Sequence, residues 1–309
     1  MATPELTARA EPRLRAERRR IGEDVVKGVL ALCALVSVAT TVGIVIALFV
    51  PAIEFFREIS VVDFLTGTNW SPLFEPASFG VLPLIVGTLL VTAIASLVAM
   101  PLGLGAAVYM SEYASPRARG IIKPAFELLA GIPTIVFGYF ALTFVTPLLR
   151  DLGVPVDIFN TLSAGLVMGV MLLPTVASLS EDAMGAVPQD LRDGAYALGS
   201  TKVQVATRIV VPAAVSGIVA SFVLAISRAV GETMIVLVAM GQQPNLSLDP
   251  RQAAEAMTAF IAATGAGDVP TGSIEYKTIF AVGATLFLMT LVMNVFAIRL
   301  VRKYREAYE

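Results

Sequence analysis

The chain has 309 residues, 56% of them hydrophobic and only 15% charged, with a mean hydropathy of +0.80. A soluble domain carries about 25% charged residues, so this chain has length for a large core and too little polar surface to dress it in water. It has no His and a single Cys, Cys33, which excludes imidazole catalysis, His- or Cys-cluster metal sites and an internal disulfide, and its net charge of −2 offers nothing to nucleic acid.

In chain order, residues 1–24 read as a cytoplasmic segment in which Glu5 to Asp24 forms a cytoplasmic or interfacial helix. Six stretches then reach the length of about 20 mostly apolar residues that a spanning helix needs. They are Gly28 to Val50, Phe79 to Met110, Ile121 to Leu149, Leu162 to Leu179, Ala213 to Met240 and Thr278 to Ile298. The first run stays apolar to Val50, which suits a retained anchor better than a cleaved signal core, although Ser37-Val38-Ala39 looks like a small-residue cleavage site. The expected architecture is an all-α polytopic membrane protein with six transmembrane helices. The first helix lies in 25–50 and an extracytoplasmic loop in 51–78. A five-helix core in 79–298 carries a cytoplasmic loop at 180–212, and 299–309 is a cytoplasmic tail.

Lys and Arg set the direction. With the amino end inside, seventeen of the 22 basic residues fall on the cytoplasmic side, and only Arg57, Arg150, Arg251 and Lys277 fall outside. Arg228 is within the membrane. Both termini are therefore expected in the cytoplasm. On the outer face, loops 51–78 and 241–277 are long enough to meet a soluble protein. Trp70 and Phe74 are candidate anchors there, with a membrane-interface belt as the simpler place for Trp70.

An apolar bundle does not need the loop Ser180–Pro212. Connectors of this length with internal structure are uncommon and usually functional. Gln189 to Gly199 reads as a short helix whose end, Gly199, suits the left-handed position that follows a helix. Ser200-Thr201 can cap a following helix that starts near Lys202 and runs to Pro212. Asp193-Gly194-Ala195, Gly199, Ile209 and Pro212 resemble the EAA loop of ABC importer permeases: Glu-Ala-Ala, three residues, Gly, nine residues, Ile, any residue, Leu-Pro. The chain departs from it with Asp193 for Glu, Gly194 for Ala and Val211 for Leu. The resemblance implies a type I ABC importer permease fold and a coupling helix that docks on an ATP-binding subunit through Asp193, Gly194, Ala195, Tyr196, Leu198 and Gly199. Small residues at Gly194 and Ala195 would let a partner approach, and Tyr196 or Leu198 would fill a pocket. The chain has no G-x-x-x-x-G-K-[ST], so it holds no cofactor of its own, and ATP with Mg belongs to partner subunits. Gly103 and Gly105 lie within a span as helix-packing glycines, and Gly165 with Gly169 has small-xxx-small spacing.

Arg228 and Glu232 are the second anomaly, since an ionisable group in mid-membrane is a functional candidate by default. Arg228 lies sixteen residues past Pro212, about 24 Å along a straight helix. At i, i+4 the two side chains would share a face and neutralise each other. A packing ion pair is the plain alternative to an anion contact at Arg228 that Glu232 orients or releases. Pro133-Thr134 in the third span offers a freed carbonyl and a hydroxyl to an anion, or simply a packing kink. Ser227-Arg228-Ala229-Val230-Gly231-Glu232-Thr233-Met234 resembles the signature of phosphate-specific (Pst) ABC permeases. So do Pro101-Leu102-Gly103, Leu129-Ala130-Gly131-Ile132-Pro133-Thr134 and Leu179-Ser180-Glu181-Asp182-Ala183. The match runs over roughly residues 70 to 298, and the Glu-Thr-Met ending with the extra amino-terminal span is more like the PstC subunit than PstA. The resemblance implies a phosphate path touching Arg228, Glu232, Thr134 and Thr233. It also implies a second, PstA-like permease subunit, two ATP-binding subunits, a phosphate-binding protein outside, and no catalysis by this chain. Another oxyanion such as sulfate or molybdate is the alternative cargo. A proton-coupled carrier titrating Glu232 is the alternative class, which the structured loop 180–212 disfavours.

Overall fold

A computed structural model describes residues 21–303; the part of the amino-terminal segment before Ile21 and the tail after Lys303 lie outside the described residues. The chain divides into a unit up to Ala47 and a unit from Leu48 onward. The first consists, where described, of the start of α1 (Ile21–Glu58), apolar and exposed on all sides. Such a helix has no polar face to give to water and suits lipid.

In the second unit α1 continues to Glu58, past the expected end at Val50, and α2 (Val61–Thr66) follows. Two short strands, β1 (Trp70–Ser71) and β2 (Ser78–Phe79), pair antiparallel. Here Phe55, Phe64, Trp70 and Phe260 pack edge to face, with ring centroids 4.9–6.0 Å apart. Trp70 is thus a core residue, 2% exposed, and the interface-belt expectation is corrected: four rings meeting here bury more apolar area than a headgroup zone would.

The centre of the unit is α3 (Leu82–Val108) against α7 (Thr161–Gly185). Their backbones approach closely because α7 presents glycine: a Cβ on Gly165 would sit 2.7 Å from Ile94 Cβ, and one on Gly169 2.6 Å from Val98 Cβ. Gly103 of α3 meets Val176 at 2.7 Å in the same way, so it packs helices as its place in a span suggested. Ala95, Ala99, Met168, Leu172 and Val176 fill the seam. Asn160, fully buried, caps α7 by accepting from Ser163 N at 2.7 Å, and its amide donates to Thr146 Oγ1 at 3.2 Å.

Among the described residues, four unbroken helices are long and apolar enough to cross a membrane: the α1 segment Glu23–Glu58, Leu82–Tyr113, Thr161–Gly185 and Ile274–Arg299. The other two expected spans are bent. α4 (Pro116–Gly131) turns through 90° into Thr134–Asp151, which comprises α5 (Thr134–Phe140), a π-helical turn at Ala141–Val145 and α6 (Thr146–Asp151). Pro133 is the cause, because its ring disfavours the helical region for the residue before it, and Ile132 is extended at φ −69°, ψ 129°. The stretch from α9 (Lys202–Val205) through a π-helical turn to α10 (Val211–Ala213) turns 70° at Ala214 into α11 (Val215–Val230). Pro212 cannot return an N–H to the preceding turn. Arg228 therefore lies about 20 Å beyond the start of α11, not 24 Å along an unbroken helix from Pro212.

The expected outer loop 241–277 holds a buried stretch and a helix of its own. Ala253 to Phe260 is buried, and α12 (Met257–Gly265) begins inside it. Met257 N donates to Thr88 Oγ1 at 3.0 Å, and Thr258 Oγ1 donates to Glu232 O at 2.7 Å. α13 (Ile274–Lys303) closes the chain.

Candidate functional site

Arg228 sits in the last turn of α11, where the helix dipole favours a cation. The helix stops at Gly231 and resumes at Met234, continuing as a π-helical turn over Val236–Met240. This break undoes the i, i+4 geometry, and the expected pairing with Glu232 does not form. Glu232 instead turns back on its own chain, its Oε1 accepting from Met234 N at 3.0 Å and Ile235 N at 3.3 Å. It is 9% exposed and acts as an N-terminal cap for the resumed helix. Thr233 Oγ1 donates to Gly231 O at 3.3 Å, closing the break from the other side.

With Glu232 occupied, Arg228 is exposed, and Nη1 donates to Thr175 Oγ1 of α7 at 3.2 Å. Among the described residues no carboxylate lies within ion-pair distance of it. A guanidinium has five N–H donors, and a single hydroxyl leaves most of them for another acceptor. Thr175 also lines a cavity of about 190 Å³ together with Ser178, Lys123, Glu127 and Glu181. Lys123 is drawn to one side of it by Glu181 at 3.1 Å and Asp182 at 3.5 Å. Thr134 begins α5, half-buried, directly after Pro133. One turn later a Cβ on Gly138 would lie 3.1 Å from Met234 O, so α5 leans on the helix that Glu232 caps. The structure thus brings Arg228 to Thr175, sets Glu232 and Thr233 in the backbone break, and stands Thr134 on a helix packed beside that break.

The second candidate element is α8 (Gln189–Ala197). Gly199 follows at φ +83°, a conformation cheap only for Gly, and Ser200 N donates back to Ala195 O at 3.1 Å. Thr201 and Gln204 form a reciprocal capping box that starts α9. Leu198 is 90% exposed at the tip, Tyr196 is partly exposed, and a Cβ on Gly194 would meet no other part of the chain. Asp193 accepts from Gln189 Nε2 at 3.1 Å. Ala195 departs from expectation: it is 8% exposed and belongs to the chain's own cluster of Ala107, Met184, Val205 and Val210. It holds α8 to the bundle, so Gly194 is the small residue left on the open face.

Residues 99–306 match the model of the family described as binding-protein-dependent transport system inner membrane component. The chain belongs to this family. The permease is 35% identical over 282 residues to the probable ABC transporter permease protein YqgH of Bacillus subtilis, covering 90% of this chain and 91% of that one. It is 34% identical over 250 residues to the phosphate transport system permease protein PstC of Mesorhizobium japonicum, covering 74% of each. In fold it is similar to a chain of a bacterial alginate ABC transporter solved with an alginate pentasaccharide-bound periplasmic protein. That match has a TM-score of 0.64 at 18% identity, over 92% of this chain and 98% of that one. The fold is that of a type I ABC importer permease, and the chain is a multi-pass membrane protein.

Three features of the permease have no local signature in sequence. Thr175 pairs with Arg228 across 53 residues. Arg192 on α8 donates to Val187 O at 2.6 Å and Met184 O at 2.7 Å, then reaches Glu112 Oε1 at 3.3 Å, across 80 residues. Both partners of that ion pair are largely buried, and Glu112 lies in a π-helical turn, Tyr109–Tyr113, that ends α3. Lys202 covers the Tyr113 ring of the same turn at 5.0 Å. The third is Glu255, buried beside Trp70 and Phe260; a lone Glu in a loop carries no sequence signal of burial.

Proposed function

We propose that this permease forms half of the translocation path of an ATP-driven importer of inorganic phosphate. The observation that carries the reading is Arg228: a guanidinium within the bundle, exposed, held by one hydroxyl and with no carboxylate partner among the described residues. A charge left unneutralised in such a place is costly, and an oxyanion passing the break at Gly231 offsets it by accepting several N–H donors at once. Similarity to a relative named as a phosphate transport permease favours phosphate over sulfate or molybdate.

A second, PstA-like permease subunit completes the path. Two ATP-binding subunits hold ATP and Mg and dock on α8 of this chain and on its counterpart, with Leu198, Tyr196 and Gly194 forming the contact. This chain makes and breaks no covalent bond. A phosphate-binding protein delivers the anion at the opposite face, and both termini lie in the cytoplasm of the bacterial inner membrane. α8 sits at the carboxyl end of α3 and the Ala253–Phe260 segment at its amino end, so ATP-driven movement of α8 has a continuous packed route toward the break at Gly231. Vesicles holding the reconstituted complex should take up labelled phosphate only with ATP and the binding protein supplied. Excess sulfate or molybdate should leave uptake unchanged, and uptake by vesicles lacking the ATP-binding subunits would refute the reading.

A further inference from the structure

Glu255 is 5% exposed. Its backbone carbonyl is pressed against Gly87 near the start of α3, where only glycine leaves room. The residues that follow it tie the segment to α3 and to the break, Met257 N to Thr88 and Thr258 to Glu232 O, so the backbone that carries the carboxyl is held in place. Among the described residues it has neither an ion pair nor a hydrogen-bonded partner. It lines a cavity of about 400 Å³ whose other walls include Trp70, Phe74, Gln242, Phe260 and Asp268. Trp70 Nε1, fully buried in that wall, also lacks an acceptor among the described residues.

The charge balance of the cavity is one-sided. Two carboxylates, Glu255 and Asp268, line it, and among the described residues no Lys or Arg does. Three of its wall residues are aromatic, and Leu73 and Phe74 stand exposed at the rim. Carboxylates with aromatic faces suit a cation, above all a planar guanidinium that stacks and donates at once. Gly87 on α3 lies about 30 Å from Ala107, the α3 residue beside Ala195 of α8, so the cavity opens at the end of the bundle remote from the coupling helix. We infer that this cavity is a socket for a basic side chain, arginine or lysine, presented by the soluble binding protein when it docks on the permease. The inference rests on the importer reading above and adds to it a named contact and its chemistry. Burial raises the Glu255 carboxyl from 4.5 to about 7, as expected of a carboxyl with no partner in the free permease. An inserted cation would supply the missing partner and return the group to its ionised form. Because Thr258 of the same segment bonds Glu232 O, occupancy of the socket would be felt at the break beside Arg228.

The test uses the full complex in nanodiscs, with both permease subunits and the ATP-binding subunits, and the phosphate-loaded binding protein as the probe. Glu255→Gln should weaken binding of that protein at least tenfold. Asp268→Asn, an exposed position that cannot disturb the core, should weaken it severalfold. A photo-crosslinking residue at Phe74 should capture a peptide containing Arg or Lys. Unchanged affinity in both variants, or crosslinks only to acidic or apolar peptides, would overturn the socket. Failure of the unsubstituted complex to bind the protein at all would instead overturn the importer reading.

Discussion

Replacing Glu255 by Gln removes a buried charge without changing the shape of the side chain. In the folded permease, burial holds this carboxyl at about 7 against an ordinary 4.5. A carboxyl raised on folding binds its proton more tightly in the folded state, so its contribution to stability is fully present below the unfolded value. That contribution is lost as pH rises through about 7. At about 1.4 kcal/mol per pH unit of displacement, ionised Glu255 costs the fold about 3 kcal/mol well above pH 7. About 2 kcal/mol of that falls between roughly pH 5.5 and pH 8.5. Thermal unfolding of the nanodisc-embedded complex across that range, without binding protein, measures it directly. The unsubstituted permease should lose stability toward alkaline pH, while Glu255→Gln should be more stable at the alkaline end and change less with pH. Parallel pH profiles for the two proteins would refute the assignment of Glu255 as a buried, unpaired carboxyl.

At the coupling end, Arg192→Gln should strand Glu112 and free α8 from the end of α3. Transport per ATP hydrolysed should fall at least tenfold while the subunits still copurify, and Arg192→Lys should restore only part of it because one ammonium cannot span three acceptors. Gly199→Ala forces a Cβ into a φ of +83° at a cost of about 1–2 kcal/mol. Stimulation of the ATPase by the binding protein should drop accordingly, and unchanged stimulation would show that the turn after α8 does not matter for docking.

The legible parts of this protein were those with a local physical signature. Apolar length revealed the straight spans, and the helix signals around Gly199 and Thr201 placed the end of α8 and the start of α9, because capping is written in neighbouring residues. Glycine spacing at Gly165 and Gly169 foretold the close contact of α7 with α3. Hydropathy could not show that two spans are bent, since an apolar stretch reads alike whether straight or broken; a proline stands at each break, Pro133 at one and Pro212 two residues before the other, but a proline inside an apolar run does not say how far the chain turns. The Arg228–Glu232 pairing failed for a related reason: i, i+4 adjacency presumes a continuous helix, and the chain breaks at Gly231. Trp70 and Ala195 were assigned outward because composition alone favours an aromatic at an interface and a small residue at a contact. Their burial is set by residues far away in sequence. Arg192 with Glu112, and Arg228 with Thr175, depend on pairings across 80 and 53 residues that no local pattern encodes.

The most direct measurement of the central claim is phosphate uptake by vesicles carrying Arg228→Ala in the otherwise complete transporter, with ATPase activity and subunit copurification followed in parallel. The complex should assemble and hydrolyse ATP while uptake falls at least a hundredfold. Uptake at the unsubstituted rate would contradict the placement of Arg228 on the anion path.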